Sequence, residues 1–186
     1  MNALLPTLPA PGGKLVDGPI VKVRVAVLTI SDTRDEESDT TGPLLVGRVQ
    51  DAGFEPAGQA IVPDDVEKIR AKILEWVQSK QVDAIVTTGG TGITGRDVTP
   101  EAVTPLFDKV LDGFSVVFHM VSYQSVGLST LQSRACAGIV GGVFVFCLPG
   151  SPGACRDGWD KVIRWQLDSR HKPCNMVELM PRLLET

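Results

Sequence analysis

Residues 83–102, DAIVTTGGTGITGRDVTPEA, carry the pattern that decides the fold. The compact apolar run over 83–87 predicts a buried β-strand, because short runs of apolar and β-branched side chains are typical of strands covered on both faces. A glycine-rich loop follows. Thr99-Pro100 then predicts the start of a helix, with threonine at the cap and proline in the first turn. A buried strand that leads through a loop into a helix is the unit of a parallel α/β fold.

The same alternation of strand and helix extends in both directions from this unit. Upstream, residues 21–30 have the composition of a buried strand, and Thr40 or Thr41 is expected to cap a helix that Gly53 ends. A short strand that reaches Val62 precedes a helix whose apolar side chains recur at helical spacing: Val66, Ile69, Ile73, Trp76 and Val77. Downstream, the sequence predicts a helix over 113–132, strands near 135–139 and 143–148, and a last helix over about 153–168.

These elements predict an α/β fold of three layers, in which helices cover both faces of a mainly parallel sheet. Residues 1–20 are rich in proline and glycine and are expected to form a flexible N-terminal arm, so that residues 21–186 make a single domain. In such sheets ligands bind beyond the carboxyl ends of the strands. The loops at those ends are 31–42, 88–98, 149–153 and, after the short strand, 63–65.

The composition excludes several classes of protein. With 43% hydrophobic and 22% charged residues, the chain is neither disordered nor fibrous. A net charge of −4 argues against a general nucleic-acid binder, and no apolar run approaches the roughly 20 residues that cross a bilayer. No C-x-x-C pair occurs among Cys136, Cys147, Cys155 and Cys174, so a structural zinc site is not expected. We therefore expect a reduced, cytoplasmic protein.

The glycine-rich loop imitates two nucleotide-binding motifs without satisfying either. Gly90, Gly92 and Gly95 spell the dinucleotide pattern G-x-G-x-x-G, but the predicted helix starts four residues too late for it. Arg96-Asp97 stands where a Walker A loop requires lysine and serine or threonine. A physical interpretation remains: glycines let main-chain N–H groups face an anion, and a following helix adds its positive end. The alternative is a tight turn without a ligand.

Two acidic residues are candidates for metal or substrate binding. If Thr99 caps its helix, Asp97 is free to bind Mg²⁺ or a substrate donor, although it could also be a solvated loop acid. Asp64 precedes the second helix, and with Glu67 it resembles a capping box. From the pattern alone, capping is the first interpretation of Asp64.

Other motifs are weaker. Arg134, after Ser133, could pair with a phosphate, and the loop LPGSPG over 148–153 could hold a ligand or be a simple turn. His119 lies among apolar residues and is expected in the core or an interface. Nothing in the sequence supports a nucleophilic triad.

Taken together, five ordered motifs resemble the MogA/MoaB family of molybdenum cofactor biosynthesis. They are AVLTISD (26–32), TTGGTG (87–92), RDVTPEA (96–102), SRACAG (133–138) and LPGSP (148–152). The resemblance extends from about residue 22 to 175 and leaves out the N-terminal arm and the last ten residues.

The resemblance implies a three-layer α/β fold, assembled as trimers or hexamers, that adenylylates molybdopterin with Mg·ATP and releases pyrophosphate. It implies that the catalytic and Mg²⁺-binding carboxylates are Asp64 and Asp97, which reverses the first interpretation of Asp64. The nucleotide-holding loops match 89–92 and 149–151, and the pterin end is expected near 129–134. The binding residues implied are Ser31, Asp32, Thr88, Gly89, Gly90, Thr91, Gly92, Ser129, Ser133, Arg134, Pro149, Gly150 and Ser151.

The resemblance leaves two main functions open, and a third, weaker one is that of a related domain acting in molybdate insertion. Residues 119–135 and 172–175 are closer to MoaB-type members, some of which are thought not to catalyse adenylylation. A molybdopterin-binding or carrier protein is therefore the alternative to an adenylyltransferase, while the presence of both Asp64 and Asp97 favours the enzyme. The apolar segment 114–126 is long for one domain to bury alone, and we expect it to contact further copies, most simply in a homotrimer.

Overall fold

A computed structural model describes residues 12–185 of the chain, and a six-stranded sheet forms its centre. Its strands are β2 Arg24–Ile30, β3 Glu55–Val62, β4 Ala84–Thr88, β5 Lys109–Val110, β6 Cys136–Val140 and β7 Val143–Leu148. They lie side by side in the order β3-β2-β4-β7-β6-β5. The first four strands in that order pair in parallel, whereas β6 runs in the opposite direction and pairs antiparallel with both β7 and β5. The prediction of a mainly parallel sheet is confirmed.

Helices cover both faces of this sheet and complete the predicted three layers. The helices are α1 Thr41–Asp51, α2 Val66–Ser79, α3 Thr99–Val103, α4 Asp112–Val126, α5 Pro152–Gly158 and a short α6 Arg164–Gln166. Apolar side chains of one face of the sheet pack against α1, α4 and α5, and those of the other face against α2 and α3. Every residue of β4 and β7 is buried, which explains why their sequences are continuously apolar or small.

Two predicted helices are interrupted. The helix expected over 113–132 ends at Val126, where Gly127 takes φ +59°, and continues as the 3-10 helix Gly127–Gln132. The last helix contains a π turn, Trp159–Ile163, between α5 and α6. A change of helix type of this kind depends on packing and leaves no mark on the apolar periodicity.

The predicted N-terminal arm is partly fixed. Lys14–Leu15, strand β1, pairs antiparallel with His171–Lys172, strand β8, so residues just after Gly13 are tied to the domain rather than free. Residues 1–11, the rest of the expected arm, lie outside the described residues. Within the described part of the chain, no helix is long and apolar enough to cross a membrane.

Candidate active site

A cleft of about 520 Å³ opens where the carboxyl ends of β2, β4 and β7 meet. All the residues predicted to form the site line it except Asp32 and Arg134. Its walls come from the loops predicted from the sequence and from the 3-10 helix after α4. The predicted residues that it brings together are Ser31, Asp64, Thr88, Gly89, Gly90, Thr91, Gly92, Asp97, Ser129, Ser133, Pro149, Gly150 and Ser151.

The glycine loop after β4 forms the floor of this cleft. Gly89 and Gly90 take φ +111° and +62°, and a β-carbon on Gly89 would lie 2.1 Å from the carbonyl oxygen of Ile30. The main-chain N–H groups of Gly90, Thr91 and Gly150 find no acceptor among residues 12–185. Such a row of unpaired N–H groups favours a bound anion. The helix that follows, α3, has only five residues, so the expected contribution of its dipole is small.

Asp64 lies beside this loop and is tied to Asp32. Asp64 N donates to Asp32 Oδ1 and Asp32 N donates to Asp64 Oδ2, both at 3.1 Å. Asp64 is half-buried, and its other oxygen, Oδ1, accepts no hydrogen bond from the described residues. Burial, followed by the negative charge of Asp32, raises the pKa of the Asp64 carboxyl. A carboxylate that is partly buried and lies beside another negative charge is stabilised when a cation binds next to it.

The predicted capping role of Asp64 is wrong. Asp65 is the N-cap of α2, and its Oδ1 accepts from Lys68 N at 2.9 Å. Of the two adjacent aspartates, Asp65 therefore caps the helix and Asp64 lines the cleft.

The structure also differs from the sequence prediction around Asp97, in the residue that caps α3 and in the bonds that Asp97 accepts. Val98, not Thr99, is the N-cap of α3, and Thr99 instead donates from Oγ1 to the carbonyl oxygen of Gly89 at 2.9 Å. Asp97 is bound within its own loop, because Oδ2 accepts from Thr94 N at 2.9 Å and from Thr94 Oγ1 at 2.6 Å. Burial acts to raise the pKa of Asp97, but hydrogen bonds from Thr94 and Gly92 outweigh it and lower this pKa. Asp97 therefore stays ionised.

Arg134 stands behind the cleft rather than in its lining. Its guanidinium donates to the carbonyl oxygens of Gly92 at 2.7 Å and Asp97 at 2.6 Å, and it forms an ion pair with Glu101. These contacts fix the loop that carries Asp97. Most N–H donors of the Arg134 guanidinium are thus already bonded to the protein. Few of them are left for the substrate phosphate that the sequence analysis assigned to this residue.

Sequence reasoning missed two arginines that do line the cleft. Arg34 donates to Thr41 Oγ1 at 2.9 Å and to the carbonyl oxygen of Gly150 at 3.3 Å, and so joins two walls. Arg96 donates from Nε to Asp32 Oδ2 at 2.8 Å. Both lie in loops predicted to form the site, and their positive charge in those loops was a usable signal.

The carboxylates suit a cation that arrives with its own ligands. Among residues 12–185 no group of three or more His, Cys, Asp or Glu side chains forms a metal site. Mg²⁺ in nucleotide-dependent proteins is commonly held by one or two carboxylates together with substrate phosphates and water. The free Oδ1 of Asp64 and the ionised Asp97 satisfy that requirement.

Comparison with known proteins identifies the family of the chain. Residues 26–169 match the family model described as a probable molybdopterin binding domain. The chain belongs to the MogA/MoaB family. It is similar to molybdenum cofactor biosynthesis protein B of Escherichia coli (strain K12), with 45% identity over 155 residues that cover 83% of this chain and 91% of that protein.

Solved structures place the chain in the same MogA/MoaB family. A crystal structure of molybdenum cofactor biosynthesis protein B is similar with a TM-score of 0.77 and 44% identity, covering 79% of this chain and 92% of that one. The tungsten cofactor synthesizing protein MoaB from Pyrococcus furiosus is similar with a TM-score of 0.69 and 41% identity, covering 75% and 89%. The family fold expected from the sequence motifs is thereby confirmed.

Proposed function

We propose that this member of the MogA/MoaB family acts in molybdenum cofactor biosynthesis by adenylylating molybdopterin with Mg·ATP. The observation that carries the proposal is the convergence of Asp64, Asp97 and unpaired main-chain N–H groups on one cleft. Adenylyl transfer needs substrates to be positioned and phosphate charge to be neutralised, and it needs no nucleophile from the protein.

In this reaction an oxygen of the molybdopterin phosphate attacks the α-phosphorus of ATP. The new P–O bond forms while the bond from the α-phosphorus to the oxygen bridging to the β-phosphate breaks. Pyrophosphate leaves with that electron pair, and adenylyl-molybdopterin remains. Mg²⁺, bound with ATP, supplies neutralisation of phosphate charge. Asp64 and Asp97 would hold it.

The remaining groups of the cleft bind and orient. The N–H groups of Gly90, Thr91 and Gly150 donate to phosphate oxygens. The loop 149–151 and Arg34 form the wall of the cleft on the side that binds the nucleotide. Ser129 and Ser133 offer hydroxyls toward the pterin side. Cys155 is not a competing nucleophile, because burial raises the pKa of its thiol to about 11.

A carrier that binds molybdopterin without reaction is the second candidate. The specific observation in its favour is the likeness of this chain to molybdenum cofactor biosynthesis protein B, at 45% identity, because MoaB-type members are those for which the sequence leaves adenylylation open. The carrier would use the same cleft and would leave ATP intact.

We further propose that the protein assembles as a homo-oligomer, with a trimer as the simplest form. Helix α4 and the 3-10 helix after it leave a row of apolar side chains exposed: Val116, Met120, Tyr123, Val126, Leu128 and Leu131. A concentration of exposed apolar side chains in one segment is typical of a protein–protein contact.

Turnover separates the two functions. Purified protein is incubated with Mg·ATP, with and without molybdopterin, and pyrophosphate is measured. The enzyme releases pyrophosphate only when molybdopterin, ATP and Mg²⁺ are all present. Binding of molybdopterin measured by calorimetry, without pyrophosphate release, supports the carrier instead.

A further inference from the structure

Arg96 lines the cleft, and its guanidinium is less firmly fixed than those of the neighbouring arginines. Its side chain is 70% exposed, and among residues 12–185 its hydrogen bonds go to Asp32 alone. Arg34, the other arginine of the lining, is fixed by bonds to Thr41 and to a main-chain carbonyl oxygen. Arg134, behind the cleft, donates to two main-chain carbonyl oxygens. The position of Arg96 thus depends on a single exposed carboxylate.

The ion pair between Arg96 and Asp32 uses only one oxygen of that carboxylate. Both Nε and Nη2 of Arg96 donate to Oδ2, while Oδ1 of Asp32 accepts from Asp64 N at 3.1 Å. In the ion pair of Arg24 with Asp83, the same two donors reach both carboxylate oxygens. A guanidinium has five N–H donors, so the other three of Arg96 have no acceptor among the described residues.

An ion pair of this kind is easily exchanged. Exposed pairs contribute little to stability, because water solvates both charges when they separate. A phosphate group presents several oxygens and can accept two parallel N–H bonds from one guanidinium. Arg96 therefore gains hydrogen bonds if a phosphate group replaces Asp32 as its partner.

The position of the ion pair indicates which phosphates Arg96 meets. Asp32 is bonded to Asp64, the carboxylate proposed to hold Mg²⁺, so the guanidinium lies close to that carboxylate. In nucleotide-dependent phosphoryl transfer the cation bridges oxygens of the β- and γ-phosphates. These two phosphates therefore come within reach of Arg96, and together they form the pyrophosphate that leaves in adenylyl transfer.

We propose that Arg96 is a substrate-binding residue whose guanidinium leaves Asp32 and binds the β- and γ-phosphates of the nucleotide. Asp32 keeps the guanidinium at the cleft until the nucleotide arrives. Arg96 then stabilises the negative charge that grows on the leaving pyrophosphate. The inference deepens the proposed function and rests on it, because it names the residue that binds the leaving group.

Pyrophosphate and AMP are the probes, because AMP lacks the two phosphates assigned to Arg96. Binding of each to the full chain is measured by calorimetry with Mg²⁺ in excess. Arg96→Gln should bind pyrophosphate at least about tenfold more weakly, the loss expected for a charge-assisted hydrogen bond, and should bind AMP like the wild type. Arg182→Gln is the matched control and should leave both affinities unchanged. Arg182 is 68% exposed and pairs with one carboxylate, that of Glu185, outside the cleft.

Asp32→Asn should change the affinity in the opposite direction. If Asp32 competes with phosphate for Arg96, removal of its charge strengthens pyrophosphate binding by about two- to fivefold. An ion pair that only supports the loop predicts weaker binding after either change. The gain should disappear when Asp32→Asn is combined with Arg96→Gln. Glu36→Gln, an exposed charge change in the same loop, should alter the affinity little, because water and salt screen that charge.

Equal affinity of wild type and Arg96→Gln for pyrophosphate would overturn the inference, and so would a wild type that binds no pyrophosphate. A parallel loss of AMP affinity would also overturn it, by placing Arg96 at the transferred phosphate. Weaker binding by Asp32→Asn would show that the ion pair supports the loop and does not compete with phosphate. Release of pyrophosphate during turnover tests the proposed function separately. It can occur while Arg96→Gln binds normally, and it can be absent while the affinities change as expected.

Discussion

Asp64 Oδ1 lies 2.8 Å from the position that a β-carbon on Gly90 would occupy. The carboxylate therefore approaches the main chain of the glycine loop as closely as it does because residue 90 has no side chain. The same position would lie 2.3 Å from Thr99 Oγ1. Gly90 is thus the point at which the loop, the carboxylate and the start of α3 meet.

Gly90→Ala should disrupt this meeting point. The added methyl group clashes with Asp64 and Thr99, and alanine is strained at φ +62°. We expect a loss of about 1–3 kcal/mol in the free energy of unfolding and at least about a tenfold loss of turnover. Gly95→Ala is the control, because a β-carbon on Gly95 meets nothing within 4 Å in the same loop. Equal effects of the two changes would refute the role of Gly90.

Asp97→Asn tests the proposed role of Asp97 in holding Mg²⁺. The amide oxygen can still accept from Thr94, so the thermal midpoint should move little, while turnover should fall on the order of 10²-fold because a charge is lost. Asp65→Asn is the control, because it also removes one negative charge near the cleft while asparagine still caps α2. Steady-state assays should find the Asp65 variant close to wild type. Near-normal turnover of Asp97→Asn would show that Asp97 holds no metal.

The pH dependence of turnover should report Asp64. Its pKa is raised, and the carboxylate is the form that binds a cation, so activity is lost as the pH falls through this raised pKa. Asp32→Asn removes the neighbouring negative charge and keeps an acceptor for Asp64 N. The acid limb of kcat/KM should therefore move to lower pH. Glu36→Gln, an exposed charge change in the same loop, should leave it unmoved. An acid limb unaffected by Asp32→Asn would assign the titration to another group.

The same raised pKa has a consequence for stability. A carboxyl that binds its proton more tightly in the folded than in the unfolded state stabilises the fold below its ordinary pKa, and this contribution is lost as the pH rises through the folded pKa. Asp64→Asn should hence be no less stable than wild type at neutral pH, although inactive. A clear fall in its thermal midpoint at pH 7 would contradict the assigned direction.

Met120→Lys tests the proposed assembly. Met120 is 64% exposed on the apolar face of α4, and a buried lysine in a contact between copies is unfavourable. Light scattering should show a trimer for wild type and dissociation for this variant. Val21→Lys, at another exposed apolar position, is the control. A wild type that stays monomeric at micromolar concentration would refute the assembly.

The sequence predicted which loops line the cleft, because local composition marks those loops. The glycines after β4 and the acids beyond the strand ends could be located from the alternation of elements alone. Which of two adjacent acids faces the cleft could not, since the spacing to Glu67 points to Asp64 as the cap, whereas in the structure Asp65 accepts the capping bond from Lys68 N.

The hydrogen-bond partners of long side chains were the least predictable feature of the candidate site. Arg134 follows Ser133 in a loop near the substrate, yet its guanidinium reaches back to Gly92, a residue 42 positions away. The pairing of Arg96 with Asp32 likewise spans 64 positions. Contacts of this length depend on how strands are ordered in the sheet, and sequence spacing carries no direct signal for them.

Transfer of the α-phosphate tests the central claim most directly. Wild-type protein is incubated with molybdopterin, Mg²⁺ and ATP labelled at the α-phosphorus, and the products are separated and weighed by mass spectrometry. The account predicts that the label moves into adenylyl-molybdopterin with equimolar release of pyrophosphate. Label that remains in ATP, while molybdopterin is bound by the same preparation, would contradict it and identify a carrier.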